Sequence, residues 1–173
     1  MKDRNTKSKK IAFIGLCSAL ALLLSYVEVL LPPLFVAVPG IKVGLPNIAI
    51  IYMLYCLGPK SAFLVSFVRL IINAMLFGNA MTLSYSVAGA VLSLTVMIIL
   101  KKLDILSTVG VSIAGGICHN LGQVLVAMLL LDTAEIAYYM IVLTFTGIIS
   151  GTVIGLAGYF LINRIPYNKI YRY

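Results

Sequence analysis

Residues 11–31 read IAFIGLCSALALLLSYVEVLL, an apolar run whose one charged residue is Glu28. About 20 apolar residues are enough for a helix to cross the hydrocarbon core of a bilayer. The basic pair Lys9-Lys10 precedes the run, and Pro32-Pro33 ends it. The first ten residues are too charged for a secretory leader, and no A-x-A-like cleavage site follows the run. We therefore predict that it is retained as a membrane-spanning helix.

The rest of the chain has the same apolar character. Of its 173 residues, 62% are hydrophobic and 10% are charged, and the mean hydropathy is +1.10. A water-soluble domain of this composition would have too few polar side chains to cover its surface. The formal net charge of +8 lies in short clusters at the ends of apolar runs and forms no basic face, so nucleic-acid binding is not expected. Composition predicts an all-α integral membrane protein that resides in a lipid bilayer.

The apolar runs and the loop charges together predict topology. Eleven of the thirteen Lys and Arg residues lie in the tails and in alternate loops, all on one side of the predicted membrane. Cytoplasmic loops carry such an excess of Lys and Arg. We therefore predict a six-helix bundle in the bacterial cytoplasmic membrane, with both termini cytoplasmic. A basic tail at 1–10 and a C-terminal tail at 163–173 flank a membrane domain at 11–162, whose spans are 11–31, 45–57, 61–77, 82–100, 106–131 and 136–162.

The loop between the first two predicted spans, 32–46, lies on the outer side and is itself apolar from residue 34 to residue 41. A solvated loop is usually polar. We predict that this loop folds over the bundle as a lid or dips partway into the membrane. The alternative is a loop that lies flat on the lipid headgroups.

Polar side chains inside a span are expensive, so each is a candidate functional residue. Arg69 lies near the middle of the third span, and Asn73 lies one turn further along the same helix face. Two interpretations stay open. Either the pair binds an anionic or planar polar group of a ligand, or Arg69 is paired internally with Glu28 or with backbone carbonyls. Glu28 lies near the outer end of the first span, where it is interfacial or turned inward toward Arg69.

The fifth span contains a second polar patch, formed by His119, Asn120 and Gln123. One histidine with two amides lacks the further ligands that a metal site requires, so no metal is expected. The patch either binds a ligand or joins helices through hydrogen bonds. The cysteines lie in apolar segments without C-x-x-C spacing and are predicted to be buried hydrophobic residues.

Small residues recur four apart in the first span, at Gly15 and Ala19, and in the sixth span, at Gly147, Gly151 and Gly155. Such spacing lets helix backbones approach closely. Most of these residues are expected to pack inside the bundle, and the first-span pair is also available to a partner subunit.

The signatures of several enzyme classes are absent from the sequence. It has no P-loop for ATP hydrolysis, no pair of Asp-rich clusters to hold magnesium against a diphosphate, and one histidine. We therefore expect neither catalysis nor a cofactor.

Several segments resemble the Gx transporter family, which is also named heptaprenyl diphosphate synthase component I. The resemblance runs from about residue 8 to residue 162. It rests on Pro39-Gly40-Ile41-Lys42-Val43-Gly44-Leu45-Pro46-Asn47, Gly58-Pro59-Lys60, Leu76-Phe77-Gly78, Tyr85-Ser86-Val87-Ala88-Gly89, Gly110-Val111-Ser112-Ile113-Ala114-Gly115 and His119-Asn120-Leu121-Gly122-Gln123.

That family is similar to the substrate-binding S-components of energy-coupling-factor (ECF) vitamin transporters. The similarity implies a six-helix bundle that holds a ligand in its outer half, beneath the loop between the first two helices. It also implies that Gly15 and Ala19 contact a transmembrane coupling subunit, which in turn binds a pair of cytoplasmic ATPases.

We predict a membrane subunit that captures a small, anionic, vitamin-like or isoprenoid molecule or quinone precursor for uptake. The alternative is a noncatalytic membrane subunit of heptaprenyl diphosphate or menaquinone biosynthesis. The predicted substrate-binding residues are Gly40, Lys42, Gly44, Asn47, Arg69, Asn73, Asn79, His119, Asn120 and Gln123.

Overall fold

The computed structural model describes residues 2–30 and 44–165, with side chains from Lys7 onward. Most of the predicted 32–46 loop and of the C-terminal tail lies outside these residues. The described part of the chain is helical and contains no strand. Its elements are α1 (Lys2–Leu30), α2 (Asn47–Cys56), α3 (Pro59–Phe77), α4 (Ala80–Leu103), α5 (Thr108–Leu131), a 3₁₀ helix (Ala134–Tyr139) and α6 (Met140–Arg164).

Five helical segments in the described residues are long and apolar enough to cross a membrane. They are Lys7–Leu30, Pro59–Phe77, Ala80–Leu103, Thr108–Leu131 and Ala134–Arg164. The prediction of an all-α, multi-pass membrane protein is therefore confirmed. The second predicted span, 45–57, corresponds to α2, which has 10 residues and is about 15 Å long. Since a helix needs a length of about 30 Å to cross the hydrocarbon core, α2 alone does not cross it. The number of six membrane crossings therefore remains a prediction. The side of the membrane on which the termini lie also remains a prediction.

Successive helices run antiparallel, and polar turn residues set their ends. Gly58 separates α2 from α3 with φ of 90°, a conformation that favours glycine. Asn79 caps α4 through a reciprocal pair of hydrogen bonds with Thr82. Asp104 and Asp132 end α4 and α5 in the left-handed conformation. We call the end where α1 begins and α6 ends the termini end, and the opposite one the 78–79 end.

Glycines bring α4, α5 and α6 close together. A Cβ atom added at Gly122 of α5 would lie 2.7 Å from the carbonyl oxygen of Ala88 on α4. One added at Gly116 would lie 2.7 Å from the carbonyl oxygen of Gly147 on α6. Since real Cβ atoms do not approach this closely, only glycine permits these backbone contacts.

The short helix α2 forms the centre of the core. Residues 49–54 are buried on every face, and Met53 and Leu54 are 0% exposed. A helix that is apolar all round is buried in this way. Helices α1, α3 and α6 pack around it. The Tyr52 hydroxyl donates a hydrogen bond of 2.6 Å to the Ile165 carbonyl at the termini end.

Candidate functional site

A cavity of about 540 Å³ lies inside the bundle and is lined by all six α-helices and the 3₁₀ helix. Volumes of this size are typical of small-molecule sites. Along α4 the lining extends from Thr82 to Met97 and along α5 from Ser112 to Ala127. Fifteen residues of helix rise by about 22 Å, so the cavity is elongated along the bundle axis.

Many polar side chains contribute to the cavity wall, although most of its surface is apolar. Hydroxyl, amide, imidazole and charged groups face it from every helix. These residues are Ser25, Glu28, Asn47, Arg69, Asn73, Thr82, Tyr85, Ser86, Ser93, Ser112, His119, Asn120, Gln123, Tyr139 and Ser150. Because buried polar groups need hydrogen-bond partners, such a lining is suited to a polar ligand.

Arg69 and Asn73 of α3 supply two buried polar atoms without a partner. The Nε atom of Arg69 and the Oδ1 atom of Asn73 have no hydrogen-bond partner among the described residues. An unsatisfied buried polar atom costs about 1–3 kcal/mol. The two residues are one helical turn apart and line the same cavity. A ligand that accepts a hydrogen bond from Arg69 and donates one to Asn73 would remove this cost.

Glu28 is directed to the backbone and not to Arg69. Its Oε1 atom accepts hydrogen bonds from the N–H groups of Gly44 and Leu45, just before α2. The carboxylate is still close enough to Arg69 for the two charges to interact. Among the described residues the structure shows no hydrogen bond between Arg69 and Glu28, which leaves the ligand-binding interpretation of Arg69 open.

The polar patch of α5 faces α3 across the cavity. His119 lies within electrostatic reach of Arg69, and its ring packs against the backbone of Gly89 on α4. Gln123 also lies beside Gly89. Asn120 differs from both, because its Nδ2 atom donates a hydrogen bond of 2.7 Å to the Leu143 carbonyl of α6. At least part of this patch therefore joins helices.

The structure brings most of the predicted site residues together. Those that line the cavity are Gly44, Asn47, Arg69, Asn73, His119, Asn120 and Gln123. Asn79 is not among the lining residues, because its side chain caps α4. Gly40 and Lys42 lie outside the described residues.

Sequence reasoning overlooked the hydroxyl groups of the cavity. Thr82 and Ser86 are four residues apart and Ser93 is seven further on, so the three share one face of α4. This spacing is the sequence feature that could have indicated a polar cavity wall. It is a weak indication, because serine and threonine side chains in helices often form a hydrogen bond only to the backbone one turn earlier. Ser18 and Ser25 do so in α1.

Gly15 and Ala19, the predicted partner contacts, are exposed on the outside of α1. A Cβ atom added at Gly15 would meet nothing within 4 Å. The pair therefore packs against no other described part of the chain. Ala21 and Ser25, which have the same spacing, are buried inside the bundle.

A metal centre finds no support in the described residues, which contain no group of three His, Cys, Asp or Glu side chains able to hold an ion. All three cysteines are free thiols, and Cys17 alone is fully buried.

Fold and cavity define a multi-pass helical membrane protein that encloses a polar, elongated cavity. The sequence pattern of the family described as heptaprenyl diphosphate synthase component I matches residues 17–161. The chain belongs to this family, and the resemblance noted from its motifs is confirmed. The description implies that the protein has a partner component. No curated protein and no solved structure matches the chain.

Proposed function

We propose that the protein is the substrate-binding membrane subunit of an uptake transporter for a small molecule. The observation that carries this proposal is the Arg69 Nε atom, which lies in the wall of the cavity and has no hydrogen-bond partner among the described residues. A buried guanidinium is retained at high cost unless a ligand or a partner compensates it. A ligand with an anionic group supplies that compensation through a charge-assisted hydrogen bond.

The distribution of cations supports an orientation in which the 78–79 end of the bundle faces the outside of the cell. Lys60, Lys101, Lys102 and Arg164 all lie at the termini end, and the positive-inside rule assigns that end to the cytoplasm. Arg69 is eight residues from the end of α3, so it lies about 12 Å below the outer end. A ligand whose charged group binds Arg69 would hold that group in the outer half of the bundle, beneath the segment that leads through Gly44 into α2.

Energy for uptake would come from other subunits. The similarity to ECF S-components suggests a transmembrane coupling subunit and an ATPase pair as partners, with the lipid-facing Gly15 and Ala19 as the contact. Their exposure supports this assignment, because small residues on an outer helix face allow a second helix to approach closely.

The second candidate is a noncatalytic membrane subunit in heptaprenyl diphosphate or menaquinone biosynthesis. The family description favours it. Under this proposal the cavity would hold a precursor or product for a separate catalytic component, and no ATPase would be needed.

Copurification distinguishes the two candidates. The tagged protein is extracted from its native membrane in mild detergent, and its partners are identified by mass spectrometry. Recovery of an ATPase pair with a membrane subunit supports uptake. Recovery of a soluble prenyl synthase supports the alternative and contradicts the transporter proposal.

Two substitutions in α1 test whether its exposed small residues contact a partner subunit. Gly15→Leu adds a large side chain on the outside of α1 and should abolish copurification of a coupling subunit, while the purified variant keeps its thermal stability. Leu23→Ala, on an exposed part of the same helix, is the matched control and should copurify normally. Undiminished copurification with Gly15→Leu would remove this face from the interface.

A further inference from the structure

We propose that the cavity is built for a monocarboxylate whose body is elongated, uncharged and able to form hydrogen bonds. This excludes diphosphates and plain isoprenoid chains as preferred ligands. The inference rests on the proposed substrate-binding function and names the ligand class of the same site.

The charges of the cavity allow one added negative charge. Among the described residues that line it, Arg69 and Glu28 carry formal charges, with histidine counted as neutral. Their charges sum to zero before a ligand binds. A carboxylate adds a single negative charge beside Arg69. A diphosphate adds at least two, and the described lining residues include no second cation to pair with the further charge, which disfavours its burial in a low-dielectric interior.

Backbone N–H groups at the starts of α2 and α4 are already engaged by side chains of the protein. Helix N-termini bind anions through free N–H groups. At the start of α2, the N–H groups of Gly44 and Leu45 donate to Glu28. At the start of α4, the Thr82 N–H donates to the Asn79 side chain over 2.8 Å. Arg69 is therefore the strongest donor left for an anionic ligand in the described cavity.

Arg69 lies partway along the cavity. The carboxylate of the ligand would therefore bind at Arg69, and the rest of the ligand would extend along the cavity from that point. Arg69 faces His119, which packs against Gly89, about nine residues or 13 Å into α4. The lining continues on α4 for eight more residues, to Met97, which is about 12 Å further toward the termini end. This inner arm is long enough for the body of an extended small molecule.

The inner arm is lined by hydroxyl groups as well as apolar side chains. Ser93 and Ser112 face it from α4 and α5. Both are buried, with exposed fractions of 8% and 5%. Neither makes the bond to the preceding helical turn that Ser18 and Ser25 make. A hydrocarbon chain placed here would leave both hydroxyls without a partner at a cost, whereas amide, hydroxyl or ether groups would satisfy them.

A competitive binding experiment tests the ligand class. The purified full-length protein is incubated with a defined mixture and examined by native mass spectrometry. The mixture contains monocarboxylates with amide or hydroxyl-bearing bodies, the methyl ester of each, geranyl and farnesyl diphosphates, and the corresponding isoprenoid alcohols. We expect retention of one or more monocarboxylates, with affinity for the matching methyl ester at least about tenfold weaker, which corresponds to 1.4 kcal/mol.

The ester comparison uses the unmodified protein and does not depend on the folding of a variant. Arg69→Gln should also weaken monocarboxylate binding at least about tenfold, while Arg164→Gln, at the exposed end of α6, should bind normally. Retention of a diphosphate or an isoprenoid alcohol in preference to every carboxylate would overturn the inference and leave the binding function intact. Retention of no compound of any class would overturn the proposed function together with the inference.

Discussion

The Glu28 carboxylate joins the end of α1 to the start of α2 by accepting hydrogen bonds from the backbone N–H groups of Gly44 and Leu45. Glu28 is two residues from the end of α1, and its exposed fraction is 9%. A negative charge at a helix N-terminus also interacts favourably with the helix dipole. Since α2 is the centre of the core, this contact fixes the position of the element against which α1, α3 and α6 pack.

We expect Glu28→Ala to destabilise the protein by about 1–3 kcal/mol, because it leaves two N–H groups without their charged acceptor. Glu28→Gln keeps an acceptor oxygen but loses the charge, so its effect should be smaller. Thermal unfolding in detergent measures both. Glu135→Gln, on the exposed surface of the 3₁₀ helix, is the control and should have the same Tm as the unmodified protein. An unchanged Tm for Glu28→Ala would show that the contact does not hold α2.

Lys101 plays the corresponding part at the other end of α2. Its Nζ atom donates a hydrogen bond of 2.6 Å to the Leu54 carbonyl and lies 4.8 Å from the centre of the Tyr55 ring. The last carbonyls of a helix have no partner within it, so Lys101→Met leaves one of them unsatisfied. We expect a loss of about 1–3 kcal/mol, or about 3–10 °C in Tm.

Lys102→Met provides a matched control for Lys101→Met. The two lysines are adjacent and carry the same charge toward the termini end, but Lys102 is exposed. Both substitutions remove one positive charge from the last turn of α4, so any effect on topology is shared. Equal Tm values for the two variants would mean that the Lys101 contact contributes nothing to stability.

Hydropathy predicts the long helices well because the signal is local. The runs that become α3 and α4 are separated by Gly78 and Asn79, and the structure ends one helix and begins the next at these two residues. The second run, 45–57, was predicted as a span on the same grounds, yet it forms only ten residues of helix. Its apolar character has another cause, since residues 49–54 are surrounded by other helices and not by lipid.

The candidate site is harder to predict from the sequence than the helices are, because its contacts join residues that are far apart in the chain. Arg69 and His119 stand out by the cost of placing them in a membrane, and they do line one cavity. The partner of Glu28 is a pair of backbone N–H groups 16 and 17 residues away, which no residue type reveals. Asn79 was predicted to bind the substrate, although asparagine just before an apolar run is also a preferred helix N-cap residue.

Close packing of α4 against α5 depends on Gly122. Gly122→Ala should destabilise the protein by about 1–3 kcal/mol, because the new methyl group would meet the Ala88 carbonyl oxygen at 2.7 Å. Gly15→Ala is the control, since its methyl group has open space. That substitution should leave Tm unchanged or raise it slightly, as alanine is favoured over glycine inside a helix by about 0.5–1 kcal/mol. A similar loss of stability in both variants would contradict a close backbone contact between Gly122 of α5 and Ala88 of α4.

Asn120 and Gln123 separate the structural role of the α5 patch from a role in binding. Asn120 holds α5 to α6 through its hydrogen bond to Leu143, whereas Gln123 lines the cavity without such a bond. Asn120→Leu should therefore lower Tm by leaving the bond unmade, at a cost of about 1 kcal/mol. Gln123→Leu should leave Tm nearly unchanged and weaken binding of whichever probe the unmodified protein retains.

Measuring Tm and probe affinity on the same two preparations makes this comparison decisive. If Gln123→Leu lowers Tm as much as Asn120→Leu and binds the probe normally, then both amides serve to join helices. Asn120 and Gln123 would in that case not belong to the binding site. His119 on α5 with Arg69 and Asn73 on α3 would remain as the groups that recognise the ligand. If the two variants differ in Tm and in probe affinity as expected, side chains of both α3 and α5 recognise the ligand.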